Sequence, residues 1–287
     1  MISDSARDPS AEPSAGPRSP HPRRLDITVV MPALNEEENI AAAVESCLSD
    51  FGAFGIEGEI AAVDDGSTDK TGAILAELSR KDPRVRVLTH PSPQGIGASF
   101  WDGVRAARGR AVVMLPGDNE NLPSEIFKYR GLLDHVDFVV PFVHNRAARS
   151  PLRVLISSLF RLIVNASFGT HFRYTNGTCL YRREILAEVL SRETGFFYQT
   201  DILIRLARRG HLFAEVPYRL GGRHAGRAKA LSLSSLRQVI RGYARLLKDV
   251  YLGDSRESSA PGASACAAPL GRAKTPPTAK APAGAAT

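Results

Sequence analysis

The chain has 287 residues, a formal net charge of +7, 43% hydrophobic and 23% charged residues, enough apolar surface to exclude disorder as the dominant state and to fill one large or two small domains. Cys47, Cys179 and Cys266 lie far apart with no CxxC pair, so neither a disulfide framework nor a structural zinc site is readable and a reduced, cytoplasmic compartment is expected. No apolar run approaches the roughly 20 residues of a bilayer-spanning helix, and residues 1–24 lack the hydrophobic segment of a signal peptide.

Residues 1–24 hold five of the 19 prolines and are expected to be a disordered tail. Asp26–Met31 is a β-branched run that Pro32 should stop. Glu36-Glu37-Glu38 leads into a helix at Ile40–Leu48, with carboxylates placed to suit the macrodipole. Glu59–Val63 is the next strand and ends in Asp64-Asp65-Gly66-Ser67. Ser67 or Thr68 can cap a helix carrying Ile74, Leu75 and Leu78, which ends before Asp82-Pro83. Val85–Leu88 is a third strand, a turn-rich Pro91–Gly97 segment follows, and a helix from about Ala98 to Arg108 has Gly109 as its stop. Ala111–Leu115 is a fourth strand and Phe138–Val143 a fifth. This alternation predicts an α/β fold, an open and mostly parallel sheet flanked by helices. Residues 254–287 carry five prolines and eleven alanines and are expected to be a second disordered tail. The folded unit is then residues 25–253, long enough to bury about 70–75% of its unfolded surface.

Ligands of such sheets bind beyond the carboxyl ends of the strands, and three acidic motifs fall there: Glu36, the pair Asp64 and Asp65, and Asp118 with Glu120. Carboxylates gathered in one crevice repel and need donors or a cation. A nucleoside's hydroxyls and amides supply the first, and Mg²⁺ or Mn²⁺ bridging Asp118 and Glu120 to a diphosphate supplies the second. Asp65, Ser67 and Asp69 also read simply as turn and capping residues. Gly95-Ile96-Gly97-Ala98-Ser99-Phe100 mimics a dinucleotide fingerprint, but Phe100 replaces the third glycine and the segment follows the third strand rather than the first.

Charge is divided along the chain. Asp26–Asp82 has thirteen acidic and three basic residues, whereas Arg205–Lys248 has eleven basic and one acidic. The basic half suits a phosphate-bearing substrate, an acidic membrane surface or nucleic acid, and reads equally as a solvated face. Aromatic residues are not interleaved there as base-stacking platforms, so a nucleic-acid module is disfavoured. Leu236, Val239, Ile240, Tyr243, Leu246, Leu247 and Val250 recur at helical spacing among Arg237, Arg241, Arg245 and Lys248. Such a helix can lie on an anionic bilayer or pack its stripe on the core. Leu152–Val164 is similar, interrupted by Arg153 and Arg161.

Taken together, VVMPALNEEENI (Val29–Ile40), VDDGSTDKT (Val63–Thr71), QGIGAS (Gln94–Ser99), PGDNENLPSEI (Pro116–Ile126), FYQTDILIRLARRG (Phe197–Gly210) and GRHAGRAKAL (Gly222–Leu231) resemble the inverting family 2 nucleotide-sugar glycosyltransferases of GT-A fold. Within them the polyprenyl- or dolichyl-phosphate mannosyltransferase-like group is the most similar. The resemblance implies that Pro32 and Glu36 line the base and ribose pocket, that Asp64 contacts the base, and that Asp65 and the glycines Gly95 and Gly97 belong to the donor site. Asp118 takes the second aspartate of the DxD metal motif and Glu120 the ligand position two residues on, while Pro116 stands in the first aspartate's place. Arg223 and Lys229 resemble the basic element that neutralises the leaving diphosphate, and Arg146, Arg149 and Arg153, after the fifth strand, read either as a site for an acceptor phosphate or as solvated surface. A lipid-phosphate acceptor met at the membrane surface needs no general base. A hydroxyl acceptor does, and Asp201 is the candidate.

Overall fold

The computed structural model describes residues 25–144, 151–189, 193–219 and 233–252. They form a seven-stranded sheet with helices on both faces. The strands are β1 (Ile27–Ala33), β2 (Gly58–Asp64), β3 (Val85–Thr89), β4 (Ala111–Met114), β5 (Phe138–Val143), β6 (Leu180–Arg182) and β7 (Phe213–Tyr218), in spatial order β3-β2-β1-β4-β6-β5-β7. The first four are mutually parallel. β6 is antiparallel to both β4 and β5, and β5 pairs in parallel with β7. The expected strands are all present and the sheet is mostly parallel as expected, with one reversed three-residue strand, β6, between β4 and β5.

Side chains of a strand alternate between faces, and the core divides accordingly. On one face Ile27, Val29, Met31 and Ala33 of β1 pack with α1 (Ile40–Ala53), α2 (Thr71–Lys81) and α4 (Pro123–Phe127), where Phe51 stacks on Phe127. On the other face Val30, Met114 and Phe138 pack with α3 (Ile96–Ala106), α5 (Pro151–Phe168), α6 (Arg183–Ala187), α7 (Tyr198–Arg208) and α8 (Leu233–Leu252).

Three local expectations are corrected. Pro32 does not stop β1, which continues to Ala33 paired with β2. Its carbonyl accepts the Gly117 N–H on the side where β4 has already ended at Met114, so the missing proline donor costs no ladder bond. Gly109 is not the stop of α3, which ends at an extended Ala107; a Cβ on Gly109 would lie 2.4 Å from the Thr28 nitrogen, so glycine is required there by close approach to β1. Neither Ser67 nor Thr68 caps α2. Asp69 does, its Oδ1 accepting the Thr71 N–H at 2.9 Å.

The chain runs from β1 outward to β3 and then crosses back to place β4 on the other side of β1. That makes the β1/β4 boundary the topological switch point, the position where open α/β sheets bind their ligands.

Candidate active site

The loops leaving β1, β2 and β4 meet at this rim. The first two are stitched together by side chains that bond across the gap. Asn35, in the left-handed region at φ 54°, accepts the Thr68 N–H at 2.8 Å, and its own N–H donates to Ser67 Oγ at 3.0 Å. The Glu37 N–H donates to Asp69 Oδ2, and the Lys70 N–H donates to Glu37 Oε2. Burial acts to raise the Asp69 carboxyl, but the hydrogen bonds from Thr71 and Glu37 outweigh it and hold the group below the usual carboxylate range. The turn-and-cap role considered for Ser67 and Asp69 is thus what the structure has, extended to a neighbouring loop.

Glu36 takes its place through its N–H, donated to Thr71 Oγ1 at 2.8 Å, and its Oε2 accepts the Asn39 amide at 2.9 Å. Pro32 is buried near the end of β1. Asp64 is buried at the end of β2, where Oδ1 accepts the Ser67 N–H at 3.0 Å. Its Oδ2 would lie 2.6 Å from a Cβ on Gly72, so only glycine fits opposite it.

Asp65 is used differently from its neighbour. Oδ1 accepts the Gln94 N–H at 2.8 Å and Oδ2 the Gly95 N–H at 2.9 Å, and Oδ1 also meets His90 Nδ1 at 2.7 Å. Both oxygens therefore serve the turn that opens α3. Gly95 adopts φ 101°, and Cβ atoms on Gly95 and Gly97 would lie 2.6 and 2.5 Å from the carbonyl oxygens of Thr194 and Glu193. These glycines permit a close approach to the protein's own chain, with Gly97 N–H donating to Thr194 O at 2.8 Å.

After β4, Gly117 passes so close to α1 that a Cβ would meet Ile40 Cδ1 at 2.6 Å. Asn119 has φ 56°, a left-handed turn between Asp118 and Glu120, and the Glu120 N–H donates to Asp118 Oδ1 at 3.1 Å. Both carboxylates are half-buried. No cluster of three or more His, Cys, Asp or Glu side chains suited to a metal exists among the described residues. Two hard oxygen donors fit Mg²⁺ or Mn²⁺ when substrate oxygens and water complete the shell, the usual arrangement for Mg²⁺.

The far wall comes from the second half of the sheet. Because β6 is reversed, it is the segment before it, Thr175–Cys179, that reaches the rim; Gln199 of α7 donates to the Gly177 carbonyl and contacts Cys179 Sγ at 2.9 Å. Tyr218 at the end of β7 donates to Asn121 Oδ1 at 3.0 Å, tying that wall to the Asp118 loop. Asp201 on α7 is buried, with Oδ1 accepting Arg205 Nε at 3.0 Å and Oδ2 without a hydrogen-bond partner among the described residues. Arg205 also pairs with Asp249 of α8 at 2.7 Å. Arg146, Arg149, Arg223 and Lys229 lie outside the described residues, as does the side chain of Arg153.

Pro32, Glu36, Asp64, Asp118 and Glu120 thus lie at the strand ends and loops of this rim, and Asp65, Gly95 and Gly97 hold the turn that opens α3 beside it. His90 and the Tyr218–Asn121 pair were not legible in the sequence. A lone histidine after a strand carries no spacing signal, and its partners are 25 and 12 residues away.

Comparison with known proteins agrees with this architecture. Residues 28–190 match the family model for glycosyl transferase family 2. The polyprenol monophosphomannose synthase of Mycolicibacterium smegmatis is 30% identical over 239 residues, covering 74% of this chain and 83% of that protein. The undecaprenyl-phosphate 4-deoxy-4-formamido-L-arabinose transferase of Pectobacterium atrosepticum is 29% identical over 58% of this chain, but over only 51% of its own length. Among solved structures, glucosyl-3-phosphoglycerate synthase from Mycobacterium tuberculosis, in complex with Mn²⁺, uridine diphosphate and phosphoglyceric acid, superposes with a TM-score of 0.60 at 25% identity, covering 78% of each chain. The chain belongs to glycosyltransferase family 2 and is built on the GT-A fold.

Proposed function

We propose that this enzyme moves one sugar, with inversion, from a nucleotide sugar to a polyprenyl phosphate at a membrane surface. The observation that carries the reading is the convergence of Glu36, Asp64 and the Asp118–Glu120 pair on the switch-point rim, where a nucleoside diphosphate supplies the hydroxyl and amide donors that carboxylates need. The acceptor class rests on the relatives that act on polyprenol phosphate and undecaprenyl phosphate by name.

Glu36 and Asp64 accept hydrogen bonds from ribose hydroxyls and base N–H groups and so orient the donor. Asp118 and Glu120 would hold a divalent cation, which when bound neutralises charge building on the departing diphosphate; the Mn²⁺ and uridine diphosphate in the related synthase support that assignment. Arg223 and Lys229 are assigned to the same leaving group and Arg146, Arg149 and Arg153 to the acceptor phosphate. The phosphate oxygen attacks the anomeric carbon opposite the diphosphate, and the carbon–oxygen bond to the diphosphate breaks with its electron pair leaving on that oxygen. With a second pKa of about 6, the acceptor phosphate is already a nucleophile at neutral pH. Asp201, buried against Arg205, then acts by holding α7 to α8 rather than by taking a proton.

The unpartnered Asp201 Oδ2 favours one second reading, a hydroxyl acceptor with Asp201 as base. Membrane contact is supported by exposed apolar side chains, Ile156, Leu159, Leu162 and Ile163 on α5 and Leu236 and Ile240 on α8, whereas Val239, Tyr243, Leu246, Leu247 and Val250 pack on the core. No helix among the described residues is long and apolar enough to cross a membrane.

The test is sugar transfer to polyprenyl phosphate in vesicles, using a panel of nucleotide sugars with and without Mn²⁺. Transfer by the wild type, its loss in Asp118→Ala and its retention in Asp201→Asn are expected. Activity indifferent to chelator and to Asp118→Ala defeats the metal assignment, and a folded but inactive Asp201→Asn protein moves the acceptor to a hydroxyl.

A further inference from the structure

His90 follows β3 and is buried, its N–H donating to the Asp64 carbonyl at 2.9 Å. Its ring bridges two carboxylates, Nδ1 to Asp65 Oδ1 at 2.7 Å and Nε2 to Asp102 Oδ2 on α3 at 2.9 Å. An ionised carboxylate only accepts hydrogen bonds, so both contacts are bonds only when the ring carries both protons; a neutral ring would turn a lone pair against one carboxylate. The titratable groups facing it among the described residues are Asp64 at the end of β2, Asp65 just after it and Asp102 from α3, with Arg105 on the outer oxygen of Asp102, and Asp64 is satisfied by Ser67.

Asp65 in turn holds the Gln94 and Gly95 amides, and the turn they open reaches the Thr194 carbonyl just ahead of α7. We propose that His90 is a positioning residue of the donor site: as an imidazolium bridging Asp65 and Asp102 it locks the Gln94–Gly97 turn, and with it the join between the donor and acceptor halves. The inference rests on the reading of the β1/β2/β4 rim as the donor site. Loss of the bridge frees Asp65 to shift and loosens the turn, so donor affinity declines when either bond is removed. The charge-assisted bond lost corresponds to a roughly tenfold weakening.

Two variants test this. In Asp102→Asn the amide can donate to a neutral Nε2 while its oxygen still faces Arg105, so the bridge survives without the proton. His90→Phe fills the space and makes neither bond. Calorimetric binding of uridine and guanosine diphosphates with Mn²⁺ reads donor affinity, and hydrogen exchange at the Gln94 and Gly95 amides reads the lock without ligand. Folded His90→Phe is expected to bind roughly tenfold more weakly and to lose amide protection, and Asp102→Asn, which keeps the bridge, to retain both. Wild-type protection in His90→Phe, or the same loss in Asp102→Asn as in His90→Phe, overturns the proposal. Should the wild type bind neither nucleotide, the donor-site reading falls, while amide protection still decides on the lock.

Discussion

Glu59 offers a sharp test of how the sheet is held at the end opposite the site. It is 1% exposed. Oε1 accepts Thr28 Oγ1 and the Arg108 N–H, both at 2.8 Å, while Oε2 accepts Arg108 Nε at 2.8 Å and pairs with Nη2 at 2.6 Å, with Arg86 at 3.5 Å. Burial acts to raise this carboxyl, but the bonds from Arg108 and Thr28 outweigh it and leave it below its ordinary value of 4.5. Breaking a fully buried pair costs about 3–5 kcal/mol. Here Arg108 is 57% and Arg86 36% exposed, so water screens the charges and re-solvates the guanidinium groups left behind. Glu59→Gln, which keeps an acceptor for Thr28 and the Arg108 N–H, should therefore cost about 2 kcal/mol near neutral pH by urea denaturation. A depressed carboxyl contributes stability above its unfolded value, and that contribution is lost as pH falls through the folded one. The gap between wild type and variant should accordingly narrow below the carboxylate range. A gap below about 0.5 kcal/mol at neutral pH, or one that does not change on acidification, refutes the account of a charged Glu59.

Gly103→Ala puts a Cβ 2.3 Å from Val30 Cγ1, where α3 packs on β1; overpacking should outweigh the gain in helix propensity and cost about 1–2 kcal/mol. Pairing it with Val30→Ala should return a coupling energy of about 1 kcal/mol in a double-mutant cycle, and strict additivity would disprove the contact. Asp69→Ala removes the acceptor shared by Thr71 and Glu37, so a loss of about 1 kcal/mol should accompany a several-fold rise in donor KM with kcat nearly unchanged; a change in kcat alone would contradict a loop-positioning role. The Cys179 thiol is pushed up to about 12 by burial, and burial pushes the Cys47 thiol up as well. Neither should react with a maleimide at neutral pH until the protein unfolds, as mass mapping of the labelled sites would establish, and native labelling of either contradicts the packing.

The donor half was legible because its signals are local. β1 to β4 are short β-branched runs separated by amphipathic helices, and an acid after such a run is placed by the parallel sheet wherever the strand ends. What escaped depends on the rest of the chain. β6 has three residues, too few for a period, and its reversed direction is set by pairing with β4 and β5. β7 contains Pro217, which argues against an interior strand and is tolerated because β7 is the sheet edge. For Asp65 and Asp64, adjacent in sequence and both acidic, no pattern reveals that one is spent on His90 and the α3 turn while the other stays at the rim. The apolar stripe of α8 packs on the core, as one of its two readings has it, while Leu236 and Ile240 are exposed.

The reversed central strand also bears on how the chain is made. By the time β4 leaves the ribosome, every strand of the parallel unit β3-β2-β1-β4 has been made, its last pair joining Ile27 to Ala111 across the whole of that unit. Its β4 edge, Ala111–Met114, is apolar and stays bare until Leu180–Arg182 arrives nearly seventy residues later. Through that interval the nascent chain displays an open strand of the kind that recruits other strands. Release of a fragment ending before β6 should yield aggregates, and the brevity of β6 keeps the exposed template as short as the architecture allows.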